Sequence, residues 1–328
     1  MRFLVVGTGS IGTRHCRNLS ALGHGVLAWD TDPARLREVE ALPGVKSALS
    51  LEHGLGMHPD GVLICTPPAS HVSLARRALE AGAHVFVEKP LAPSTDGVEA
   101  LLDDAERRGH LLLLGFNLRF LPSLRCVKAL LDERRVGKVL AARAEFGYYL
   151  PAWRPTRDYR QNYAVRADLG GGILLDASHE FDYLDWFFGD VAELFCTAEH
   201  RSDLAGDTED LAEVTLRFRS GVLAQVHLDY LQRAYRRNLE IIGSDGVIVW
   251  DYPTQTVTVR GPEPDRREEH AGSFDAGPDE MYVEGMRHFV RCIEGQEAPM
   301  VDGLGALRSL RIVEAAKTSA RERRWVTL

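Results

Sequence analysis

Three glycines near the start of the chain, Gly7, Gly9 and Gly12 in VVGTGSIG, have the spacing of a phosphate-binding turn. The first permits a tight turn, the second lets backbone approach a pyrophosphate, and the third allows a helix to pack close to a strand. Amides at the helix start that follows, Ser10 and Ile11 among them, would face the phosphate charge. Asp30 stands eighteen residues beyond Gly12, at the end of the second apolar run. A carboxylate there accepts hydrogen bonds from an adenosine ribose and repels a 2′-phosphate. This favours NAD over NADP, against which Thr31 and Arg35 stand close by. Asp32 before Pro33 reads more simply as a helix cap followed by a first-turn proline.

Two further clusters sit where apolar runs end. Thr66, Pro67 and Pro68 follow the run Gly61–Cys65, with Ser70 and His71 opening the next helical pattern. Ligands of open α/β sheets bind beyond the carboxyl ends of strands, so Thr66, Pro67 and His71 are expected on the nicotinamide side; His71 reads equally as a polar first-turn residue. Glu88, Lys89 and Pro90 follow the run His84–Val87. A lysine leaving a strand end can stabilise a developing alkoxide and relay a proton. An ordinary surface Glu–Lys pair fits the pattern as well. Asn117 and Arg119 in GFNLRF follow the last run of this half, and both are candidates to contact substrate; Glu88 and Asn117 are counted with the cofactor contacts too.

The stretch Leu150–Asp168 concentrates Trp153, Arg154, Arg157, Tyr159, Arg160, Tyr163 and Arg166. Planar guanidinium groups pair with carboxylates or phosphates, and aromatic rings stack on sugar faces. The loop is therefore compatible with an acidic sugar or sugar phosphate, with a neutral sugar, or with arginines that serve only to pair with acids of the fold.

The elements that must carry these residues are legible as periodicity. Apolar runs at Arg2–Val6, Gly25–Trp29, Gly61–Cys65, His84–Val87 and Leu111–Phe116 alternate with helical patterns at Ile11–Leu22, Pro33–Leu42, His71–Ala81 and Thr95–Arg108. That alternation predicts βαβ units on a parallel sheet over residues 1–118. Residues 119–328 begin with a helix at Leu121–Glu133 and a strand at Lys138–Tyr149, and Leu175–Phe188 reads as helix. Strands are expected at Val191–Glu199, Glu209–Phe218, Val222–Tyr230, Arg237–Ile242, Gly246–Asp251 and Thr256–Arg260, which together imply an α+β domain with a large, mostly antiparallel open sheet. Gly261–Asp279 reads as a mobile surface loop, and helices at Met281–Glu294 and Gly303–Arg321 close the chain.

Composition narrows the class. A chain of 328 residues with 45% hydrophobic content suits two domains, and a formal charge of −8 without a basic tract argues against nucleic acid as partner. The five cysteines are widely spaced, form no CxxC, and read as reduced, buried small hydrophobes. No stretch has the length of a membrane span, the first apolar run reads as a strand rather than a signal peptide, and a cytoplasmic location is the expectation. Histidines lack metal-ligand spacing, so no metal is expected. One face of the large sheet is expected to pair with a second copy, as a homodimer or homotetramer.

The ordered set GxGxxG, TPPASH, VFVEKP and GGGILLDASH, with a C-terminal stretch from Asp302 to Ala316, resembles the glucose–fructose oxidoreductase/inositol dehydrogenase family. The resemblance spans nearly the whole chain. It implies a Rossmann domain followed by a domain on an open antiparallel sheet, bound NAD or NADP, and a sugar, cyclitol or related substrate. It also implies that Lys89 is the catalytic lysine and that Asp176 and His179 are the catalytic aspartate and histidine, which also contact substrate. In the family pattern three residues separate the last two, whereas DASH has two. The implied activity is hydride transfer between nicotinamide and a carbinol or carbonyl carbon. The same apparatus suits a redox-neutral epimerase, lyase or glycosidase with retained NAD, and a dinucleotide fold can also serve as a non-catalytic sensor.

Overall fold

A computed structural model describes residues 1–155, 158–261, 267–270 and 279–328. The chain forms two compact units, Met1–Asn117 with Pro278–Arg308, and Leu118–Gly277 with Ser309–Leu328. This division differs from a single cut after residue 118, because the penultimate helix returns to the first unit.

The first unit holds a six-stranded, all-parallel sheet in the order β3-β2-β1-β4-β5-β6. Its strands are β1 (Arg2–Val6), β2 (Gly25–Trp29), β3 (Val45–Ser47), β4 (Gly61–Ile64), β5 (His84–Val87) and β6 (Leu112–Leu114). The connecting helices are α1 (Ser10–Ala21), α2 (Pro33–Glu40), α3 (Leu51–Gly56), α4 (His71–Glu80) and α5 (Val98–Arg107). β1 and β4 are the central pair, and every residue from Phe3 to Val6 is at most 1% exposed, as expected where helices cover both faces. Five of the strands match the periodic runs. The sixth, β3, and the helix α3 escaped that reading because three residues with a central lysine, and six residues with two glycines, leave almost no period to detect. Asp32 does cap α2, its Oδ1 accepting from the Ala34 amide at 2.8 Å with Pro33 in the first turn.

The second unit is built on a nine-stranded sheet, ordered β14-β13-β12-β11-β7-β10-β9-β8-β15. These are β7 (Val139–Gly147), β8 (Val191–Glu199), β9 (Leu211–Phe218), β10 (Leu223–Asp229), β11 (Arg236–Gly243), β12 (Val247–Asp251), β13 (Thr256–Arg260), β14 (Arg267–Glu269) and β15 (Val326–Thr327). All described pairings are antiparallel except β7 with β10. Alternate residues of the strands are buried, as in β9 where Ala212, Val214, Leu216 and Phe218 lie at 2% exposure or less. The expectation of a mobile loop over Gly261–Asp279 is corrected in part: Arg267–Glu269 adds to the sheet as β14, pairing Thr258 with Glu269. The remaining helices of this unit are α6 (Pro122–Asp132), α7 (Leu150–Trp153), α8 (Ile173–Asp176) and α9 (Ser178–Phe188). A single helix over Leu175–Phe188 was expected; instead Ala177, at φ −90° and ψ 23°, separates α8 from α9.

α10 (Glu280–Ile293) belongs to the first unit, where Met286, Phe289, Val290 and Cys292 join the core formed by Phe3, Val5, Cys16, Leu19 and Phe86. Phe289 lies 6.0 Å from Phe3 and 5.6 Å from Phe86, which explains why the end of the chain cannot be assigned wholly to the second half. α11 (Gly303–Glu322) contributes residues to both units. All five cysteines are free, and four are buried.

Candidate active site

The glycine turn assigns a different job to each glycine. Gly7 adopts φ +88°, and a side chain there would meet the Cys65 backbone at 2.9 Å, so this position requires glycine twice over. A Cβ on Gly12 would lie 1.9 Å from the Gly7 carbonyl oxygen, which leaves α1 no other residue at its point of closest approach. A Cβ on Gly9 would meet nothing within 4 Å. Gly9 is thus unexplained by the protein's own packing and leaves that side of the turn open. Ser10 is exposed and Ile11 half-buried at the start of α1, whose first amides point to that same opening.

Asp30 is buried at the end of β2 and holds the turn. Its Oδ2 accepts from the Thr8 amide at 2.6 Å and from the Thr8 hydroxyl at 3.2 Å, while Oδ1 accepts from the Asp32 amide at 2.9 Å. A carboxylate offers about four acceptor positions, so one is left for a ribose hydroxyl. Arg35 lies 3.7 Å from Asp30 and 3.6 Å from Asp32, and its charge is spent on these two acids. Thr31 is exposed beside them.

At the strand ends of this unit the candidates divide. Pro67 is exposed and Thr66 half-buried, its hydroxyl 2.7 Å from that of Ser70. His71 instead turns inward. It is 1% exposed, with Nδ1 2.9 Å from the Pro90 carbonyl and Nε2 2.7 Å from the Thr66 carbonyl. Burial lowers its pKa, and the ring ties the loop after β4 to the loop after β5. His71 is therefore a staple between two strand ends. Lys89 is half-buried directly beyond β5, and the Lys89–Pro90 peptide is cis. Glu88 also faces inward, its Oε1 2.6 Å from His15 Nε2. Gly115, just past β6, lies close to this group: a Cβ there would sit 3.0 Å from the Glu88 carboxylate. Asn117 is half-buried and directs its amide to Met281 Sδ at 3.1 Å.

In the second unit Asp176 ends α8 and receives three phenol hydroxyls. Tyr163 donates to Oδ1 at 2.7 Å, Tyr148 to Oδ2 at 2.9 Å, and Tyr230 to Oδ2 at 3.4 Å. Hydroxyl donors of this kind favour the ionised carboxylate. Burial, and the neighbouring Asp176 charge, push the Tyr148 and Tyr230 phenols well above their ordinary range, so both remain protonated donors. Tyr148 and Tyr230 were not legible in the sequence. They follow β7 and β10, and because those strands run parallel with Gly147 opposite Asp229, both rings emerge side by side at one end, 5.4 Å apart. Tyr163, expected to touch substrate, serves as a holder of Asp176.

The turn into α8 is equally constrained. A Cβ on Gly171 would lie 2.2 Å from the Tyr163 carbonyl, and one on Gly172, at φ +108°, would lie 2.3 Å from Glu209 Oε1. Glu209 accepts from the Leu174 amide through its side chain at 3.2 Å and from the Ile173 amide through its backbone at 3.1 Å. The three-glycine run thus lets Glu209 grip the turn that presents Asp176.

His179 lies in the first turn of α9, 7% exposed. The break at Ala177 means that Asp176 and His179 do not share one regular helix. The other acids of α9 are committed elsewhere. Glu180 pairs with Arg237 at 2.8 Å and Asp182 with Arg119, all four side chains being at most 9% exposed. Burial opposes the Arg237 charge, but Glu180 together with Tyr235, Tyr183 and Tyr252 outweighs it, and the guanidinium stays protonated. Arg119 grips Asp182 bidentately, Nε to Oδ2 at 2.9 Å and Nη2 to Oδ1 at 2.8 Å. Arg119, expected to touch substrate, is held against Asp182 of α9.

The aromatic and basic loop is also resolved into roles. Trp153 is 49% exposed, stacks on Tyr235 at 5.9 Å and 17°, and lies 4.8 Å from Tyr148. It forms an open ring face one side chain away from Asp176. Arg160 pairs with Asp158 at 2.9 Å and Arg166 with Asp168 at 2.7 Å, so two of the expected anion readers are neutralised by acids two residues away. Tyr159 accepts the Ala205 amide at 3.1 Å. Arg154 is exposed and makes no ion pair among the described residues. Arg157 lies outside the described residues. No group of three metal-ligating side chains occurs among the described residues, and no described helix is long and apolar enough to cross a membrane.

Residues 1–116 match the oxidoreductase family with an NAD-binding Rossmann fold, and residues 124–249 match the GFO/IDH/MocA C-terminal domain. The chain is 32% identical to the myo-inositol 2-dehydrogenase of Thermotoga maritima over 342 aligned positions, covering 100% of this chain and 98% of that protein. It is 27% identical to the scyllo-inositol 2-dehydrogenase (NAD(+)) of Bacillus subtilis, across 98% and 94% of the two chains. Among solved structures, levoglucosan dehydrogenase in complex with NADH superposes with a TM-score of 0.90 at 20% identity, covering 100% of this chain and 98% of that one.

Proposed function

We propose, from the premise that this chain belongs to the GFO/IDH/MocA family of oxidoreductases, that it is an NAD-dependent dehydrogenase acting on the CH–OH group of a neutral cyclitol or sugar. Three observations support NAD: the open side of the turn at Gly9, the remaining acceptor position on Asp30, and the preoccupation of Arg35 with Asp30 and Asp32. When bound, the nicotinamide supplies the hydride acceptor for oxidation and the donor for reduction.

We assign the remaining chemistry to three side chains. Lys89 contributes positive charge that stabilises the substrate oxygen as it becomes an alkoxide. His179 removes the hydroxyl proton as general base, a role worth roughly a hundred- to ten-thousandfold in rate. Asp176, held by the hydroxyls of Tyr148, Tyr163 and Tyr230, orients a substrate hydroxyl or the base. Trp153 offers a ring face on which the apolar side of a sugar stacks. The preference for a neutral substrate rests on the arginine loop, because Arg160 and Arg166 already spend their charge on Asp158 and Asp168. The observation that carries the whole reading is the carboxylate of Asp176 held by three phenols in a chain that also carries the glycine turn and Lys89.

The outer face of the large sheet carries a registered row of Leu223, Ala141, Ile242 and Val247 across four strands, and we extend the proposal to a homodimer or homotetramer formed there, in the cytoplasm. The test is absorbance at 340 nm with purified protein, added NAD, and a panel of inositols, neutral sugars and sugar acids. NADH formation with an inositol or neutral sugar is expected. Turnover only with a sugar acid would overturn the substrate class. Protein that arrives with NAD bound and converts a sugar without net NADH would replace the dehydrogenase by a redox-neutral enzyme, and NAD binding without any turnover would leave a sensor.

A further inference from the structure

The first unit contains a buried histidine that none of the assigned roles uses. His15 lies on α1, three residues beyond the last glycine of the turn, and is 1% exposed. Its Nε2 stands 2.6 Å from Glu88 Oε1, and the side chains of the pair are 2% and 13% exposed. Phe86 meets the ring edge-on at 5.5 Å and Tyr282 at 6.3 Å, and the buried Nδ1 has no hydrogen-bond partner. With one ring nitrogen in apolar surroundings and the other 2.6 Å from a carboxylate oxygen, the geometry fits donation from Nε2 to Glu88. The Glu88 carboxylate also lies close to Gly115, where an added Cβ would come within 3.0 Å of it. It is therefore locked between the helix that follows the phosphate turn and the strand end that carries Lys89.

We propose that His15 is a positioning residue for Lys89: by holding the Glu88 carboxylate under the end of β5, it fixes the backbone from which the lysine leaves the sheet and ties that backbone to the helix of the nucleotide turn. The inference rests on Lys89 being the reactive lysine of the proposed dehydrogenase. Its physical basis is that orientation of a reacting group is sensitive to displacements of about an ångström, which cost on the order of a hundredfold in rate. A histidine that merely filled space would be replaceable by any side chain of similar volume. A positioning histidine is replaceable only by one that still donates to Glu88.

The experiment compares His15→Leu, His15→Gln and Glu88→Gln in the full chain. The first removes the donor, the second restores an amide donor at about the same reach, and the third removes the charge it serves. Two readouts are taken. Steady-state oxidation gives kcat and KM, and reductive ¹³C-methylation of the chain's five lysines, with Lys89→Arg for assignment, gives the titration curve of the Lys89 amine by NMR without any cofactor. The expected result is a kcat lower by about tenfold to a hundredfold in His15→Leu with KM little changed. The Lys89 resonance should shift and broaden, Glu88→Gln should reproduce both effects, and His15→Gln should recover most of them. A Lys89 titration identical in His15→Leu and the parent protein overturns the proposal. So does equal loss in His15→Leu and His15→Gln with a lowered melting temperature, which would mark a packing role. Should the parent protein turn over no polyol at all, the dehydrogenase reading fails, while the NMR comparison still decides whether His15 controls Lys89.

Discussion

Replacing Arg119 by alanine separates a structural arginine from a substrate-binding one. The guanidinium and the Asp182 carboxylate are 6% and 1% exposed and share two hydrogen bonds of 2.9 and 2.8 Å. Both charges were removed from water when the second unit folded, and each now compensates the other. Deleting the arginine leaves Asp182 buried and ionised beside Trp186, over whose ring the cation sits at 5.4 Å. Breaking a buried pair from one side costs about 3–5 kcal/mol. For a unit of this size each kcal/mol lowers the melting temperature by roughly 2–4 °C, so Arg119→Ala should melt about 6–20 °C below the parent protein. The double replacement Arg119→Met with Asp182→Leu removes both charges and should regain most of the loss, because apolar side chains of similar volume avoid the desolvation cost. Thermal unfolding followed by circular dichroism reads the stability, and substrate KM on the surviving folded fraction reads the site. The reasoning is refuted if Arg119→Ala melts within about 2 °C of the parent, the range of an ordinary surface change, while KM rises at least tenfold. Arg119 would then be a substrate contact after all.

Three further outcomes follow from single positions. Gly9→Ala should leave the melting temperature unchanged, since its Cβ meets nothing within 4 Å, but weaken NADH binding by about tenfold or more in a fluorescence titration. Gly12→Ala should destabilise the unit itself, its Cβ falling 1.9 Å from the Gly7 carbonyl. Equal NADH affinity in Gly9→Ala and the parent would remove the phosphate from that side of the turn. His227 is raised to about 9 by its hydrogen bond to Asp229, opposed by burial and reinforced by Glu213. A raised folded-state pKa contributes stability that is complete below about pH 6.5 and disappears as pH climbs through about 9. Denaturant midpoints should therefore fall across that window in the parent protein and stay flatter in His227→Gln; parallel curves would show that the contact carries no linkage.

The fold and half of the site were legible because both are local patterns. The glycine turn, the run of β5 and the residue that follows it can be read from neighbours in sequence, and Lys89, Asp176 and His179 came from ordered motifs. What was not legible depends on residues that meet only after folding. His15 and Glu88 lie 73 positions apart and are brought together by the crossover from α1 to β5. Tyr148 and Tyr230 need the parallel pairing of β7 with β10, which no periodicity announces. The partners of Arg119, His71 and Tyr163 were hidden for the same reason. Arg119, His71 and Tyr163 are polar residues at suggestive places, and a sequence does not reveal whether such a group faces a ligand or a buried partner. Here Arg119 met Asp182, His71 met two carbonyls, and Tyr163 met Asp176. The arginine loop looked like an anion reader because its acids, Asp158 and Asp168, were too close in sequence to be noticed as partners.

The parallel pair β7–β10 also bears on when the second unit becomes competent. Antiparallel neighbours can zip from a short turn, but this pair closes only after the intervening residues, with α9, β8 and β9 among them, have been threaded into place. Contacts of such sequence separation form slowly, because the entropy of closing the loop is lost before the contact returns anything. Asp176 collects the hydroxyls of Tyr148 and Tyr230 at the same moment. Refolding chains should accordingly regain helix and most of the sheet before the phenol environment turns native, and tyrosine absorbance should trail far-ultraviolet dichroism. Native tyrosine absorbance would then report the pairing of β7 with β10 as well as the filling of the carboxylate site.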